Sequence, residues 1–364
     1  MRAGWLSALL MALPLCAAET HPILPVGSAA PDFALPGVDG QMHRLADYAS
    51  SPVLAIVFTC NHCPIAQQYE QRIERLYRDY RDKGMAVVAI QPNAPEALRV
   101  DELDSSDLSD TLAEMKIRVA YKHLTYPYLS DGETQSVARA YGPQATPHVF
   151  VFDRERRLRY EGRFDSSYRE ELVKTQDARN AIDALLAGQP VAVTHTGVFG
   201  CSTKWKEKEA ERIEALRKME EKPVTLNAVS ADDLKAVRAN TGHKLTLVSY
   251  WGTQCAACLA EFAEIETTYR MYSVRGFDLV TVAAGARAAV QATVEKEHAT
   301  SRNLYLASGA PDWDASQPYT VLMATDGRVV YQKAGALDML ELRRTILAHF
   351  DWEYEGFSRY WTPQ

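Results

Sequence analysis

The chain has 364 residues, and at roughly 150 residues per domain this length predicts two folded units. Its hydrophobic content of 47% and charged content of 24% are typical of globular proteins and exclude a largely disordered chain. The 40 basic and 47 acidic side chains give a net charge of −7 without a long basic run, so we expect no nucleic-acid partner.

The first predicted element is an N-terminal leader. Arg2 precedes an apolar stretch from Trp5 to Leu15, and Cys16 and two alanines follow it. This pattern predicts a secretory signal peptide over residues 1–18, cleaved after Ala18. The apolar stretch is shorter than the roughly 20 residues that span a bilayer, so we expect no stable membrane insertion after cleavage. The predicted location is the periplasm or another extracytoplasmic compartment.

The first cysteine pair lies between a predicted strand and a predicted helix. The run VLAIVF at Val53–Phe58 is continuously apolar, as expected for a strand covered on both faces. Cys60, Asn61, His62 and Cys63 follow it, and apolar residues at helical spacing come next. A second apolar run at Met85–Ile90 predicts another strand after this helix.

The same order of elements recurs in the second half of the chain. The run LTLVSY at 245–250 precedes Cys255 and Cys258, a helical pattern follows, and Phe277–Ala283 supplies the next strand. In each half a proline, Pro147 or Pro318, also precedes a predicted hairpin. The charged stretch at 203–222 between the halves predicts a solvated helical linker.

The two cysteine pairs have the spacing of redox-active thiols. Two cysteines separated by two residues at a helix start can close a disulfide, and the helix N-terminus lowers a thiol pKa from about 8.5 toward 7. We expect exposed outer thiolates at Cys60 and Cys255 to attack partner disulfides. The inner thiols, Cys63 and Cys258, would then resolve the mixed intermediates.

Both halves resemble the thioredoxin superfamily. Residues from about 24 to 206 resemble its peroxiredoxin-like (AhpC/TSA, redoxin) branch, and residues from about 223 to 350 are similar to a thioredoxin domain. The first resemblance is carried by CNHCP at 60–64, YPYLSDGETQSVARAYG at 126–142, TPHVFVFD at 146–153 and GCSTKWK at 200–206. The second is carried by Trp251, by CAAC at 255–258 and by Gln317-Pro318.

The resemblance implies an α/β fold of two tandem thioredoxin-like units, each with a central mixed sheet flanked by helices. We expect the first domain at 22–202, the linker at 203–222 and the second domain at 223–352. In this fold Pro147 and Pro318 would lie in cis against the cysteine pairs and keep metal away.

Other residues near the pairs are expected to modulate them. His62 resembles the histidine of the strongly oxidising periplasmic disulfide donor of bacteria, where it stabilises the reduced form. Trp251 is expected to shield Cys255. Gln254 and Ala257 depart from the aromatic residue and the proline that relatives usually carry, and Ala145 stands where relatives often have a cysteine.

Several assignments stay open at this stage. Either pair could be a static structural disulfide, but the roughly 190 residues between the pairs argue against a shared zinc site. Cys201 is either a packed free thiol or a third thiol that traps Cys60 or Cys63. His148 is expected on a strand surface. We expect no metal and no other cofactor.

The sequence therefore predicts an exported thiol–disulfide oxidoreductase that acts on protein thiols and disulfides and exchanges electrons with a thioredoxin-like or membrane donor. A thiol peroxidase is the first alternative, although Val57 stands where peroxiredoxins place a threonine or serine. A copper-binding chaperone is the second alternative, since thiolates favour Cu(I). Copper proteins on this fold, however, resemble one another in having two cysteines separated by three residues and a remote histidine. The cysteine pairs of this chain have one intervening residue fewer.

We predict that the Cys60–Cys63 couple is more oxidising than the Cys255–Cys258 couple, because His62 favours the reduced first pair. Redox titration of each pair, with the other pair changed to serine, measures the two potentials. A first couple that is the more reducing of the two would contradict this prediction.

Overall fold

The computed structural model describes residues 21–240, 242–308 and 318–362. The predicted signal peptide, Cys16 and Gln317 lie outside these residues. Across the described ranges, no helix combines the length and the apolar character that crossing a membrane requires.

The N-terminal unit is built on a sheet of strand order β5-β4-β3-β7-β8. Strands β3, β4 and β5 are parallel, whereas β7 pairs antiparallel with both β3 and β8. Its strands are β1 (Ala34–Pro36), β2 (Met42–Arg44), β3 (Val53–Phe58), β4 (Met85–Gln91), β5 (Tyr128–Ser130), β6 (Ala145–Thr146), β7 (His148–Phe152), β8 (Leu158–Gly162) and β9 (Cys201–Ser202). Its helices are α1 (Pro64–Tyr80), α2 (Leu112–Lys122), α3 (Ser136–Tyr141) and α4 (Asp177–Leu186).

Strand β3 is buried along its whole length, as its continuous apolar run predicts. Successive side chains of a strand point to opposite faces, so β3 contributes to two cores. Val53, Ala55 and Val57 pack into the core that contains α1 and α4 residues. Leu54, Ile56 and Phe58 pack into the opposite core with α3 residues. This double coverage fixes the end of β3, where the first cysteine pair begins.

The C-terminal unit has a sheet with the order β10-β13-β12-β11-β14-β15. Strands β10 to β13 pair in parallel, and β14 pairs antiparallel with β11 and β15. Its strands are β10 (Leu226–Ser230), β11 (Leu245–Gly252), β12 (Phe277–Ala284), β13 (Arg302–Ser308), β14 (Tyr319–Met323) and β15 (Val329–Ala334). Helix α5 (Glu209–Glu220) precedes this sheet, whose helices are α6 (Ala231–Arg238), α7 (Ala256–Tyr272), α8 (Arg287–Lys296), α9 (Met339–Ala348) and α10 (Glu355–Trp361).

The predicted fold class is confirmed, since two mixed sheets flanked by helices follow each other in a thioredoxin-like arrangement. Helix formation within the predicted linker is confined to α5 and a short 3-10 turn at Lys206–Lys208. Thr203 and Lys204, at the predicted start of the linker, are instead buried in the N-terminal unit. Helix α10 lies beyond residue 352, where we expected the second domain to end, and Trp361 at its end packs into the C-terminal core.

A bridging segment, residues 104–110, connects the two units through buried charges. Asp107 is fully buried and accepts hydrogen bonds from Arg118 of α2 and Arg344 of α9, each at 2.7 Å. Arg118 is also fully buried and donates to the Tyr360 hydroxyl of α10 at 2.6 Å. One carboxylate of the N-terminal unit therefore neutralises an arginine from each unit.

The bridging segment also receives further hydrogen bonds from the C-terminal unit. The Tyr272 hydroxyl donates to the Ser106 carbonyl at 2.8 Å, and Arg275 donates to the Ser105 hydroxyl at 2.7 Å. These contacts fix the segment at several points, so the second unit restrains a loop of the first.

Replacing Asp107 should strongly destabilise the folded chain. Asp107→Asn removes the carboxylate that hydrogen-bonds with the buried Arg118 at 2.7 Å, and breaking a buried pair of this kind typically costs about 3–5 kcal/mol. Chemical denaturation measures the free energy of unfolding. The control Asp326→Asn alters an exposed pair with Arg328 and should change it by less than about 0.5 kcal/mol. Equal changes in the free energy of unfolding for the two substitutions would contradict the conclusion that the buried Asp107 contacts stabilise the fold strongly.

Candidate functional site

The first cysteine pair lies in the turn between β3 and α1. Helix α1 begins at Pro64, and Cys63 is its N-cap, with the Ala66 amide donating to Cys63 Sγ at 3.5 Å. Proline suits the first helical position because the amide it lacks has no partner there in any case. The unpaired amides of the helix end therefore face Cys63, not Cys60.

Asp110 holds this turn in place from the bridging segment. Its Oδ1 accepts hydrogen bonds from the backbone amides of Asn61 at 2.9 Å and His62 at 3.1 Å. Its Oδ2 accepts from His62 Nδ1 at 2.6 Å and from Asn93 Nδ2 at 2.8 Å. All five groups are buried, so Asp110 satisfies the backbone amides of the two residues between the cysteines and one ring nitrogen of His62.

Thr146 contacts the sulfurs of both Cys60 and Cys63. Its hydroxyl is 3.1 Å from Cys60 Sγ, and its carbonyl oxygen is 3.4 Å from Cys63 Sγ. The Thr146–Pro147 peptide bond is cis, in agreement with the expectation for Pro147. Thr146 thereby connects the cysteine turn to the start of β7.

Cys201 is the third sulfur of this site. Strand β9 pairs antiparallel with β6 so that Cys201 lies opposite Thr146. The Cys201 amide donates to Cys63 Sγ at 3.3 Å, and Cys201 packs against the cluster of Cys60 and Cys63. We call Cys60, Cys63 and Cys201 the three-thiol cluster; all three are free thiols in this structure.

Negative charge in the three-thiol cluster is favoured on Cys63. Burial raises the pKa of the Cys63 thiol, but hydrogen bonds from Cys201 and Cys60, the charge of His62 and the Ala66 amide outweigh it and lower that pKa well below its usual value. Burial raises the pKa of Cys60 well above the usual value, and hydrogen bonding to Cys63 and the nearby Asp110 carboxylate act in the same direction. Hydrogen bonding to Cys63, reinforced by burial, raises the pKa of Cys201.

The expectation of an exposed, activated outer thiol at Cys60 is wrong for this structure. Cys60 is 1% exposed and Cys63 is fully buried, so neither sulfur meets solvent. The lowered pKa also belongs to Cys63, because hydrogen bonds from Cys201 and Cys60, the His62 charge and the Ala66 amide outweigh its burial. His62 accordingly favours the thiolate of Cys63, not that of Cys60.

His62 and Asp110 form a buried charge pair beside the cluster. Burial lowers the pKa of His62, but the Asp110 carboxylate outweighs it and the net shift is upward. Burial raises the pKa of Asp110, yet His62, Asn93 and backbone amides bring it below its usual value. Cys60, His62 and Asp110 offer potential metal-ligand atoms within 4.8 Å of one another, but both Asp110 oxygens already accept two hydrogen bonds each.

The second cysteine pair has a different relation to its helix. Cys255 and Cys258 form a disulfide, and Cys255 is the N-cap of α7. The Cys258 amide donates to Cys255 Sγ at 3.1 Å. Cys255 is half-buried, whereas Cys258 is only 2% exposed. The expected order of an accessible outer sulfur and a buried inner one is therefore present at this site.

Trp251 and Pro318 are both buried in the C-terminal unit. Trp251 is 2% exposed and packs in one cluster with Cys258 and Phe262, with Cys255 at its edge. Pro318 is buried and directly precedes β14, which pairs with β11 at the end that leads to the disulfide.

Some site residues were placed wrongly or missed in the sequence. His148, expected on a strand surface, is fully buried and its Nε2 lies 2.9 Å from a Glu161 carboxylate oxygen. Asp110 was missed because nothing local relates it to a turn 48 residues earlier. Pro64 was an available signal, since proline at the first helical position marks Cys63 as the N-cap.

Comparisons with known proteins support the first half of this description. Residues 26–161 match the AhpC/TSA family. A crystal structure of a hypothetical protein from Sinorhizobium meliloti 1021 is 36% identical, with coverage of 51% of this chain and 97% of that one and a TM-score of 0.45. An uncharacterized conserved protein from Geobacillus kaustophilus is 38% identical, with coverage of 53% and 98% and a TM-score of 0.45.

A more distant neighbour is the peroxidoxin BcpB from Mycobacterium tuberculosis, at 20% identity, coverage of 44% of this chain and 94% of that one, and a TM-score of 0.32. Among curated proteins the sequence finds no match.

Removing the Asp110 charge should lower both the His62 pKa and the stability of the fold. The raised His62 pKa means that the pair's stabilisation is complete below the unfolded histidine value of 6.5 and is lost as pH rises through the native pKa. The lowered Asp110 pKa means that it is present above 3.8 and is lost as pH falls through the native pKa.

The test compares Asp110→Asn with Asp82→Asn, whose side chain is 88% exposed. We expect the stability deficit of Asp110→Asn to be largest between pH 3.8 and 6.5, the ordinary pKa values of aspartate and histidine, and the His62 pKa measured by NMR to fall. Asp82→Asn should leave the free energy of unfolding and the His62 pKa unchanged. A deficit that is constant across pH would show that the pair is not charged.

Proposed function

We propose that this chain, whose residues 26–161 match the AhpC/TSA family, is an exported thiol–disulfide oxidoreductase whose two cysteine pairs exchange disulfides with protein thiols. The observation that carries the proposal is the disulfide between Cys255 and Cys258, which begins α7 with its outer cysteine half-buried. A half-buried sulfur at a helix N-terminus suits exchange, because attack requires both access and a stabilised thiolate leaving group.

The two sites differ in the feature that controls their redox balance. The three-thiol cluster stabilises a thiolate at Cys63 through the helix end, the His62 charge and the two neighbouring thiols. Stabilising the reduced form of a pair makes its disulfide a better oxidant. This supports the prediction that the first couple is the more oxidising, with Cys63 in place of Cys60 as the charged sulfur. Electrons would then pass from the second pair to the first when the two react.

The partners follow from the same chemistry. Protein thiols and disulfides are the proposed substrates, and a thioredoxin-like or membrane protein is the proposed electron donor. The signal-peptide pattern of residues 1–18 supports the proposed export. Export also suits the chemistry, because disulfides form and persist in oxidising compartments.

A thiol peroxidase is the second candidate, and the AhpC/TSA match is the observation that favours it. A peroxidatic thiolate must meet peroxide, yet Cys60 is 1% exposed and carries a raised pKa. Disulfide exchange at Cys255 does not require a substrate to reach the buried Cys60. Peroxide consumption by the reduced protein, compared with its rate of protein-disulfide reduction, separates the two functions.

Changing Cys255 to serine should slow the reduction of insulin disulfides by at least roughly tenfold, because it removes the accessible attacking sulfur. The assay follows insulin reduction by the full chain with dithiothreitol as the electron source. Ala263→Ser, on the exposed face of the same helix, is the matched control and should keep the wild-type rate. An unchanged rate in Cys255→Ser would contradict the proposed role of this pair.

A further inference from the structure

The buried first pair needs a route to external partners. Cys60 and Cys63 are 1% and 0% exposed, so a partner sulfur cannot approach either along the line of an S–S bond. Cys201 is half-buried and packs directly against the pair. Cys201 is thus the least buried residue of the three-thiol cluster.

The backbone around Cys201 is built for close approach to Cys63. Gly200 has φ +141°, and a Cβ placed there would lie 2.0 Å from the Thr146 carbonyl oxygen. Only glycine allows β9 to lie this near to Thr146. The consequence is the β6–β9 pairing that sets the Cys201 amide 3.3 Å from Cys63 Sγ.

We propose that Cys201 is the sulfur through which external thiols reach the buried pair, and that Cys63 forms a disulfide alternately with Cys201 and with Cys60. This rests on the proposed thiol–disulfide exchange. Cys63 is the shared partner because its sulfur interacts with both other thiols.

A dithiol substrate reduces the oxidised cluster in two exchange steps. A substrate thiolate attacks Cys201 Sγ of the Cys63–Cys201 disulfide, the bond between these two sulfurs breaks, and Cys63 leaves as a thiolate. The second substrate thiol then attacks the substrate sulfur of the mixed disulfide, and Cys201 leaves and takes up a proton. The substrate loses two electrons and two protons; the cluster gains both electrons and one proton, and the other proton goes to solvent.

An internal exchange connects this disulfide with the Cys60–Cys63 bond. The Cys201 thiolate attacks Cys63 of the Cys60–Cys63 disulfide, and Cys60 leaves and is protonated, without net electron transfer. The oxidised cluster is regenerated by a protein or small-molecule disulfide, which accepts the two electrons.

The electrostatics of the cluster give this sequence a direction. A sulfur of lower pKa leaves faster, and the helix end stabilises negative charge on Cys63. Attack at Cys201 therefore expels the better leaving group.

The test uses the full chain with Cys255 and Cys258 changed to serine, so that only the three-thiol cluster reacts. Glutathione disulfide oxidises the protein, and stopped-flow measurement follows its reduction by dithiothreitol. We expect Cys201→Ser and Cys201→Ala to slow reduction of the Cys60–Cys63 disulfide by at least roughly tenfold, while its equilibrium with glutathione changes less than about threefold. Ser202→Ala, at the exposed neighbouring position, should reduce at the parent rate.

A second measurement detects the alternative bond directly. Cys60→Ser should form a Cys63–Cys201 disulfide on oxidation, identified by peptide mass mapping. Absence of this disulfide, or parent-like reduction rates in both Cys201 variants, would overturn the proposal. Circular dichroism of each variant establishes that it is folded. Failure of the proposed function can be distinguished from failure of this inference. In that case the wild-type chain, which has all of its cysteines, would not reduce insulin.

Discussion

The carboxylate of Asp110 is the interaction on which the first site depends. It binds two backbone amides of the cysteine turn together with the His62 ring, and it lies at the end of the bridging segment. At Asp107 the same segment binds Arg118 and Arg344, one from each unit. The loop that positions the buried cysteines is thus also the loop that holds the two units together. A shift of this loop would reach the cysteine turn through Asp110, Ser109 and Ser106, which all hydrogen-bond with the turn.

The two cysteine pairs differ because their helices begin at different points. Cys63 is the N-cap of α1, whereas Cys255 is the N-cap of α7, although both pairs have the same spacing. The stabilised sulfur is consequently the inner one at the first site, where burial shields it, and the outer one at the second, where it is half-buried. A shared sequence motif therefore occurs in two different structural settings, a buried pair of free thiols and a disulfide whose outer cysteine is half-buried.

The sequence predicted the parts of the fold that have strong local signals. Strands β3 and β11 are covered on both faces, so their apolar runs are unbroken, and their bounds agree closely with the predictions. Strand β5 has three residues between Pro127 and Asp131, and its formation depends on pairing with β4, which no local pattern reveals. The functional site shows the same dependence on local signals. The spacing of the cysteines identified them, whereas the role of Asp110 and the burial of Cys60 depend on tertiary contacts. The helix start after Cys63 has a local signal in Pro64, since proline favours the first helical position.

The location of the negative charge within the three-thiol cluster is the central claim, and carbon-13 NMR of the cysteine Cβ atoms tests it without requiring access to the sulfurs. The experiment titrates the reduced chain, labelled at cysteine Cβ, with Cys255 and Cys258 changed to serine. We expect the Cys63 signal to shift at the lowest pH, while Cys60 and Cys201 remain protonated over that range. A titration in which Cys60 loses its proton first would contradict the assignment of the stabilised thiolate to Cys63.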